Sequence, residues 1–514
     1  MPEAGEAAEF LAAGGGGALV APITRIETHA AIVFLSGERA YKIKKAVDYG
    51  YLDFSTLERR RLCCAAEIAL NRRTAPALYE RLAVITREAS GDLALDGTGE
   101  PVEYVIVMRR FAQDDLLDRV AARGALTDAI IDELADHLAG FHANAAPDRT
   151  FGGAARIKEA LTINAGQHRL FAASFGGEEG PAALEAEGGR CLARVAPLLE
   201  ARREAGYVRH CHGDLHLGNI ALIGGHPVAF DGIEFNDAFA RIDIFYDLAF
   251  LLMDLWHRKE RLAANRLFNR YLTMGVPEER AAALDGLKAM PLFLSLRAGV
   301  RAHVNARQGH AALAEDYLSL ARAFLRPREP ILAAVSGLSG CGKSTLARTL
   351  APELGAAPGA LVLRSDERRK RRFGLSPLDR LPESAYAPAV TDEVYEGIRA
   401  DAAKALKAGH AVIIDAVMAH EHERQEIVDL AAGMGVPLLA LWLEAPPDVL
   451  GRRVDARTGD ASDATREVLA RQLGFAEPPR SPAWTIIDAS QTPAQTAAEA
   501  FASLKTIAAR PPAP

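Results

Sequence analysis

Two groups of residues in this chain have the types and spacing of phosphate chemistry. The first is Gly337-Leu-Ser-Gly-Cys-Gly-Lys343-Ser344, a complete G-x-x-x-x-G-K-S. It follows the apolar run Ile331-Leu332-Ala333-Ala334-Val335 and precedes a helix-forming stretch, Thr345 to Leu350. A strand, a glycine-rich loop and a helix in that order make a phosphate cradle. Glycine lets successive backbone N–H groups turn inward, and the helix N-terminus adds partial positive charge. Gly337, Ser339, Gly340, Cys341, Gly342 and Thr345 are expected around the phosphates of ATP. Lys343 is expected to reach the β- and γ-phosphates and Ser344 to ligate Mg²⁺.

Downstream residues extend this group. The strand-like Leu361-Val362-Leu363 ends in Arg364-Ser365-Asp366. In doubly wound sheets ligands sit beyond the carboxyl ends of strands. Asp366 is therefore placed to orient or deprotonate an acceptor hydroxyl, and Arg368 or Arg369 to bind its anionic group. The bland alternative is that Ser365 or Asp366 caps a helix whose basic run is solvated. Ala411-Val412-Ile413-Ile414-Asp415 is an apolar strand ending in a carboxylate that steadies Mg²⁺. Arg424, on the next helix, is expected to face the substrate. Arg453 and Arg457 sit in a helix–loop–helix stretch that resembles the mobile lid of small nucleotide kinases, whose arginines would close over the γ-phosphate and exclude water.

The second group is His212-Gly-Asp214-Leu-His-Leu-Gly-Asn219, with Asp231 twelve residues further on after Pro227-Val-Ala-Phe230. A carboxylate, an amide five residues on and a second carboxylate on the next strand suit phosphoryl transfer. Asp214 would accept a hydroxyl proton; Asn219 and Asp231 would hold the metals that neutralise phosphate charge. Upstream, Lys42 or Lys44 on a strand would pair with Glu67 on a helix and grip the α- and β-phosphates. Both lysines share one face, because strand side chains alternate, so the pattern leaves open which one enters the site. Only eleven of the 60 basic residues are lysine, and three of these fall in Tyr41-Lys-Ile-Lys-Lys45. Where arginine is the default cation, a lysine at a special place is informative.

The second group resembles the catalytic and metal-binding segments of the aminoglycoside phosphotransferase family, which is related to choline kinases and protein kinases. The resemblance covers roughly residues 24–325. It implies that Asp214 is the catalytic base and that Asn219 and Asp231 are Mg²⁺ ligands. It further implies that Lys42 or Lys44 is the phosphate lysine with Glu67 as its helix partner, that His212 braces the catalytic loop, and that Asp247 is a structural aspartate behind it. Two departures stand out. Thr28-His29-Ala30-Ala31 replaces the usual glycine-rich loop, and Asp231 is followed by Gly-Ile-Glu rather than Trp-Glu. The first group resembles the P-loop kinases that include gluconate kinases, zeta toxins and polynucleotide-kinase-type enzymes. Together the halves resemble bacterial fusions of the two kinds.

The elements that must position these groups follow from periodicity. Ile32–Leu35 and Ala40–Lys44 flank a Ser36-Gly37 turn; Leu82–Arg87 and Val102–Arg109 are further strands, and Leu57–Arg73 is a helix carrying Glu67. Thr127–Asn144 is amphipathic, with Ile131, Leu134, Leu138 and Phe141 at helical spacing. Residues 155–206 and Asp243–Leu325 are helical, with strands and loops over Val208–Asp237. Strands at 331–335, 360–363, 411–415, 438–443 and 484–487 alternate with helices, the doubly wound pattern. The expected fold is thus an α+β kinase-like portion, a small sheet-rich lobe plus a helical lobe, then an α/β doubly wound P-loop domain. Boundaries are expected as a flexible 1–20, a kinase-like 21–325, a Pro-bounded linker at 326–330 and a P-loop domain at 331–514.

A chain of 514 residues with 49% hydrophobic content can bury more than one core. A net charge of −7 with dispersed cations argues against a general nucleic-acid binder. The most apolar stretch, Ile244–Trp256, is too short to span a bilayer, and five scattered cysteines suit a reducing cytoplasm. The expectation is a cytoplasmic, ATP- and Mg²⁺-dependent phosphotransferase with two sites acting on small hydroxyl-bearing acceptors. The alternatives are an ATP-driven switch with a non-catalytic kinase-like domain, or a toxin- or repair-like kinase of nucleotide sugars or polynucleotide ends.

Overall fold

Alternating apolar residues between Ile23 and Arg109 build an antiparallel sheet of six strands. These are β1 (Ile23–Glu27), β2 (Ala31–Ser36), β3 (Arg39–Lys44), β4 (Tyr79–Arg87), β5 (Leu93–Leu95) and β6 (Glu100–Arg109), in the order β1-β2-β3-β6-β4-β5. The computed structural model describes residues 2–50, 52–273, 283–376, 379–456 and 461–508. Helix α1 (Pro2–Ala12) places Ala7, Ala8 and Leu11 against Phe34, Tyr41, Ile43 and Val105 on the sheet. The expectation of a flexible first twenty residues is thereby corrected. Alanine and leucine at helical spacing give this segment an apolar stripe that the sheet buries, and Glu6 pairs with Arg87 of β4.

Helix α2 (Leu57–Asn71) begins at Thr56, whose hydroxyl accepts the N–H of Arg59. Arg60 of α2 donates to both oxygens of Glu103 on β6, at 2.9 and 2.8 Å, and both residues are buried. A charge-assisted pair in the interior is directional. It fixes the rotation of α2 and turns Glu67 toward β3.

The chain continues through α3 (Leu117–Ala122), α4 (Asp128–Asn144), α5 (Gly153–Leu170) and α6 (Glu179–Glu204). Thr127 caps α4, and Ile131, Leu134, Leu138 and Phe141 are all buried, as the periodicity predicts. Strands β7 (Val208–His210), β8 (Ile220–Ile223) and β9 (His226–Ala229), the short helix α7 (Asp237–Ala240) and β10 (Arg241–Asp243) follow. β7 pairs with β10 and β8 with β9, both antiparallel. Helix α8 (Ile244–His257) is buried from Phe245 to Leu255. No described helix is long and apolar enough to cross a membrane.

Contacts divide the chain into two compact units, residues 1–164 with 192–258, and 165–191 with 259–514. The second contains α9 (Arg261–Thr273), α10 (Met290–Arg307), α11 (Ala311–Phe324) and a five-stranded sheet. Its strands are β11 (Leu332–Gly337), β12 (Leu361–Arg364), β13 (Val412–Asp415), β14 (Leu438–Glu444) and β15 (Trp484–Asp488), all parallel, in the order β12-β13-β11-β14-β15. Helices α12 (Lys343–Leu350), α13 (Ser365–Arg372), α14 (Pro388–Lys407), α15 (Glu421–Met434), α16 (Pro447–Asp455), α17 (Arg466–Phe475) and α18 (Pro493–Ala508) connect or follow them. This is the doubly wound architecture, with the strand that leads into the glycine-rich loop at its centre.

The division after Arg258 differs from the expected linker at 326–330, and amide hydrogen bonds explain it. Asn265 Nδ2 on α9 donates to the carbonyls of Pro358 and Ala360, at 3.1 and 3.0 Å. Asn269 Nδ2 donates to Ala360 O at 3.1 Å, and its Oδ1 accepts the N–H of Val362 at 2.7 Å. Side-chain amides thus satisfy the outer edge of β12, where a further strand would otherwise add. Close approach is possible because residue 359 is glycine. A Cβ there would lie 2.8 Å from Asn265 Nδ2 and 2.5 Å from Ala351 O, at φ +99°.

Candidate active sites

In the first unit, Lys42 and Lys44 lie two residues apart on β3 and face the same way. Both reach Glu67: Lys42 Nζ to Oε1 at 2.7 Å, and Lys44 Nζ to Oε2 at 2.7 Å. Their other contacts separate them. Lys42 also donates to Asp231 Oδ1 at 2.5 Å, whereas Lys44 turns inward to Glu234. Of the two lysines left open by the sequence, Lys42 is the one on the expected metal-binding aspartate. Glu67 is buried, which alone would raise its pKa, but Lys42 and Lys44 pull it down to about 2. Burial pushes Glu234 upward against the pull of Lys44.

The loop after β7 carries Asp214 and Asn219. Asn219 Nδ2 donates to both the backbone carbonyl and Oδ2 of Asp214, at 2.9 Å each. The loop is braced from behind by Asp247 of α8, whose carboxylate accepts the N–H groups of His212 and Gly213 at 3.0 and 2.8 Å. His142 Nε2 lies 3.1 Å from the same carboxylate. His212 Nε2 lies 2.8 Å from Phe230 O, and burial lowers the pKa of His212, consistent with a neutral ring donating to that carbonyl. Phe230 N–H donates to Asn219 O at 2.9 Å, which brings Asp231 beside Asn219.

Asp231 itself sits at φ +61°, a left-handed conformation that aspartate tolerates better than most residues. Its N–H donates to the Tyr79 hydroxyl at 3.1 Å, and the next N–H, of Gly232, to Asn71 Oδ1 at 2.8 Å. Asp214 and Asp231 are partly exposed, with side-chain exposures of 38% and 44%. Amide and carboxylate oxygens are the hard donors that suit Mg²⁺. The expected glycine-rich loop is replaced by a turn between β1 and β2 held by its neighbours. Lys45 Nζ donates to Thr28 O at 2.6 Å, and the Tyr49 hydroxyl to His29 O at 3.1 Å.

In the second unit the P-loop has the positive φ values that its glycines permit, +132°, +87° and +92° at Gly337, Gly340 and Gly342. A Cβ on Gly337 would approach Leu443 O to 2.5 Å. Ser344 Oγ donates to Asp415 Oδ2 at 2.6 Å, so the hydroxyl and carboxylate expected around Mg²⁺ adjoin. Lys343 Nζ donates to Leu338 O at 3.0 Å. Arg364, at the end of β12, donates to Asp415 Oδ2 at 3.2 Å, Ser344 Oγ at 3.0 Å and Glu367 Oε1 at 2.9 Å. Its residue type and spacing assign it no role in the sequence, although it directly precedes Ser365-Asp366 at a strand's carboxyl end.

Lys343, Ser344, Asp366 and Asp415 line one cavity of about 1350 Å³. Asp366 has its pKa raised by burial, with Arg364 opposing, and it hydrogen-bonds Ser462. Three expected cations stand differently. Arg424 is 1% exposed on its side chain and donates to Met418 O and Ala419 O at 2.8 and 3.1 Å, with its guanidinium over Trp442. It is a structural cation behind the wall rather than a substrate group. Arg368 pairs with Asp401 of α14 at 2.5 Å and does not line the cavity; its neighbour Arg369 does, donating to Ala385 O at 2.6 Å and lying over Tyr386. Helical geometry decides this, since successive residues point about 100° apart. Arg453 lines the cavity but donates to Ala489 O and Gln491 O, at 2.6 and 3.2 Å, beyond β15. Arg457 lies outside the described residues.

A model of the phosphotransferase enzyme family matches residues 63–284, and a model of an AAA domain matches residues 332–479. An uncharacterized protein of Mycobacterium tuberculosis (strain ATCC 25618 / H37Rv) is 30% identical over 457 residues, covering 86% of this chain and 88% of that protein. The chain belongs to one family with that protein, and itself carries a phosphotransferase-family kinase domain followed by a P-loop kinase domain. An adenylyl-sulfate kinase of Myxococcus xanthus (strain DK1622) is 31% identical over 155 residues, which are 29% of this chain and 75% of that enzyme. Among solved structures, a choline/ethanolamine kinase family protein from Mesorhizobium loti is similar at 15% identity, covering 63% of this chain and 95% of that one with a TM-score of 0.38.

Proposed function

We propose that the chain is an ATP-dependent phosphotransferase with two Mg²⁺-dependent sites, each passing the γ-phosphate to a hydroxyl of a small molecule in the cytoplasm. The observation that carries this reading is that Lys343, Ser344, Asp366 and Asp415 line one cavity. In the P-loop site, backbone N–H groups of Gly340–Lys343 and the Lys343 ammonium hold the phosphates. Ser344 and Asp415 would hold Mg²⁺, which supplies neutralisation of phosphate charge. Asp366 accepts the acceptor's hydroxyl proton as the oxygen attacks phosphorus. In the first unit, Asp214 has the same task, Lys42 grips phosphate, and Asn219 and Asp231 are the metal ligands.

The test is transfer of labelled γ-phosphate from ATP into a fractionated cell extract. Wild type should label a small-molecule fraction. Asp366→Asn should lose that label and retain ATP binding; label unchanged by Asp366→Asn would refute its role. A second reading is favoured by one feature of the first unit. Lys42 bonds directly to Asp231, and the β1–β2 turn has no glycine and is tied by Lys45 and Tyr49. On that reading the kinase-like unit binds nucleotide without transferring phosphate, and Asp214→Asn leaves all labelling intact.

A further inference from the structure

The P-loop cavity carries a row of flat rings that phosphate transfer does not need. His420 lies parallel to His422, with ring centroids 5.6 Å apart and planes at 12°, and to Phe475, at 5.3 Å and 18°. All three rings line the cavity and all three are exposed, Phe475 at 48%. Tyr386, also exposed, lines the same cavity, with the Arg369 guanidinium 5.1 Å from its ring centroid. Exposed rings gathered in a cleft mark a binding surface more often than rings scattered singly. Flat faces favour a flat partner, because offset stacking contributes beyond area burial.

Sheet order says which substrate the rings serve. The phosphates lie at the end of central β11. Asp366 follows β12 and His420 follows β13, on one side of that strand; Arg453 and Gln491 follow β14 and β15, on the other. The ring row therefore begins on the side of Asp366, where the acceptor belongs. Phe475 reaches it from the end of α17, the helix whose Gln472 also accepts the N–H of Ser339 in the P-loop, at 3.0 Å. Two arginines, Arg380 and Arg471, are exposed on the cavity wall and bring positive charge.

We propose, resting on the reading of this cavity as a kinase site, that its acceptor is a nucleoside 5′-monophosphate whose base stacks on the His420–Phe475 row. Its phosphate pairs with Arg380 and Arg471, and a ribose hydroxyl faces Asp366. In the transfer, the ribose oxygen forms a bond to the γ-phosphorus and the bond from that phosphorus to the β–γ bridging oxygen breaks. ADP leaves, and the hydroxyl proton passes to the Asp366 carboxylate.

The test is titration calorimetry on the full chain saturated with ADP and Mg²⁺, using AMP, GMP and ribose 5-phosphate as probes. At least one nucleotide should bind, and ribose 5-phosphate, which lacks the base, should bind at least tenfold more weakly. Phe475→Leu keeps apolar bulk and removes the ring; it should weaken the nucleotide at least about fivefold, the loss of one base–aromatic stack. ADP binding to wild type and to Phe475→Leu is measured separately. Loss of ADP binding by wild type would refute the kinase reading itself. Retained ADP binding with no nucleotide binding, with ribose 5-phosphate binding as tightly as AMP and GMP, or with nucleotide affinity unchanged by Phe475→Leu, would overturn the acceptor proposal alone.

Discussion

Replacing both Asn265 and Asn269 with alanine should weaken the P-loop unit substantially, although neither residue touches the cavity. The double change strips partners from Val362 N–H on the outer edge of β12 and from Pro358 O and Ala360 O just before that strand. A buried backbone group left unpaired costs about 1–3 kcal/mol. Val362 and Asn269 are only half-buried, so water recovers part of this, and the expected loss is about 3–5 kcal/mol. For a unit of this size each kcal/mol lowers Tm by about 2–4 °C, so a drop on the order of 10 °C is expected. The single variants should not add, because both amides donate to the Ala360 carbonyl. Trp442 and Trp484 lie on β14 and β15 and report the melting of this sheet by fluorescence. A loss below about 0.5 kcal/mol for the double variant, within the range of ordinary surface changes, would refute the idea that α9 belongs structurally to the P-loop unit.

Lys44→Met should destabilise the first unit by about 3–5 kcal/mol, because Glu67 and Glu234 lose a buried partner. Adding Glu234→Leu should restore much of that loss in a denaturation-based double-mutant cycle; no recovery would contradict the pairing. His410 is buried with Nε2 at 2.8 Å from Gly359 O, and burial lowers its pKa from 6.5 to about 4. Below pH 6.5 the unfolded chain takes up a proton that the folded one does not, so stability falls as pH drops, reaching about 3 kcal/mol by pH 4. In urea titrations across that range, His410→Gln should flatten this part of the slope; an unchanged slope would contradict it.

Much of the fold was legible because its signals are local. Period-two and helical patterns located β2, β3, α2, α4 and all five strands of the parallel sheet, and the P-loop needs only contiguous residues. What was not legible depends on pairing across distance. Glu234 and Asn71 become part of the first site only because the chain after Asp231 returns to β3 and α2. The choice between Arg368 and Arg369 turns on the rotation of α13, which the packing of α14 sets. Arg424 carries the type and position of a substrate cation, yet its stem is buried and its guanidinium is used by nearby carbonyls and Trp442. The role of α9 was hidden for a related reason: asparagines on a helix give no period that distinguishes a strand-edge cap from a solvated face.

The two phosphate sites proposed for this chain are separated by ATP turnover of wild type, Lys343→Ala, Asp214→Ala and the double variant, each with saturating Mg²⁺. Each single variant should remove a distinct part of the turnover and the double variant all of it. Turnover abolished by Lys343→Ala and untouched by Asp214→Ala would contradict a second working site.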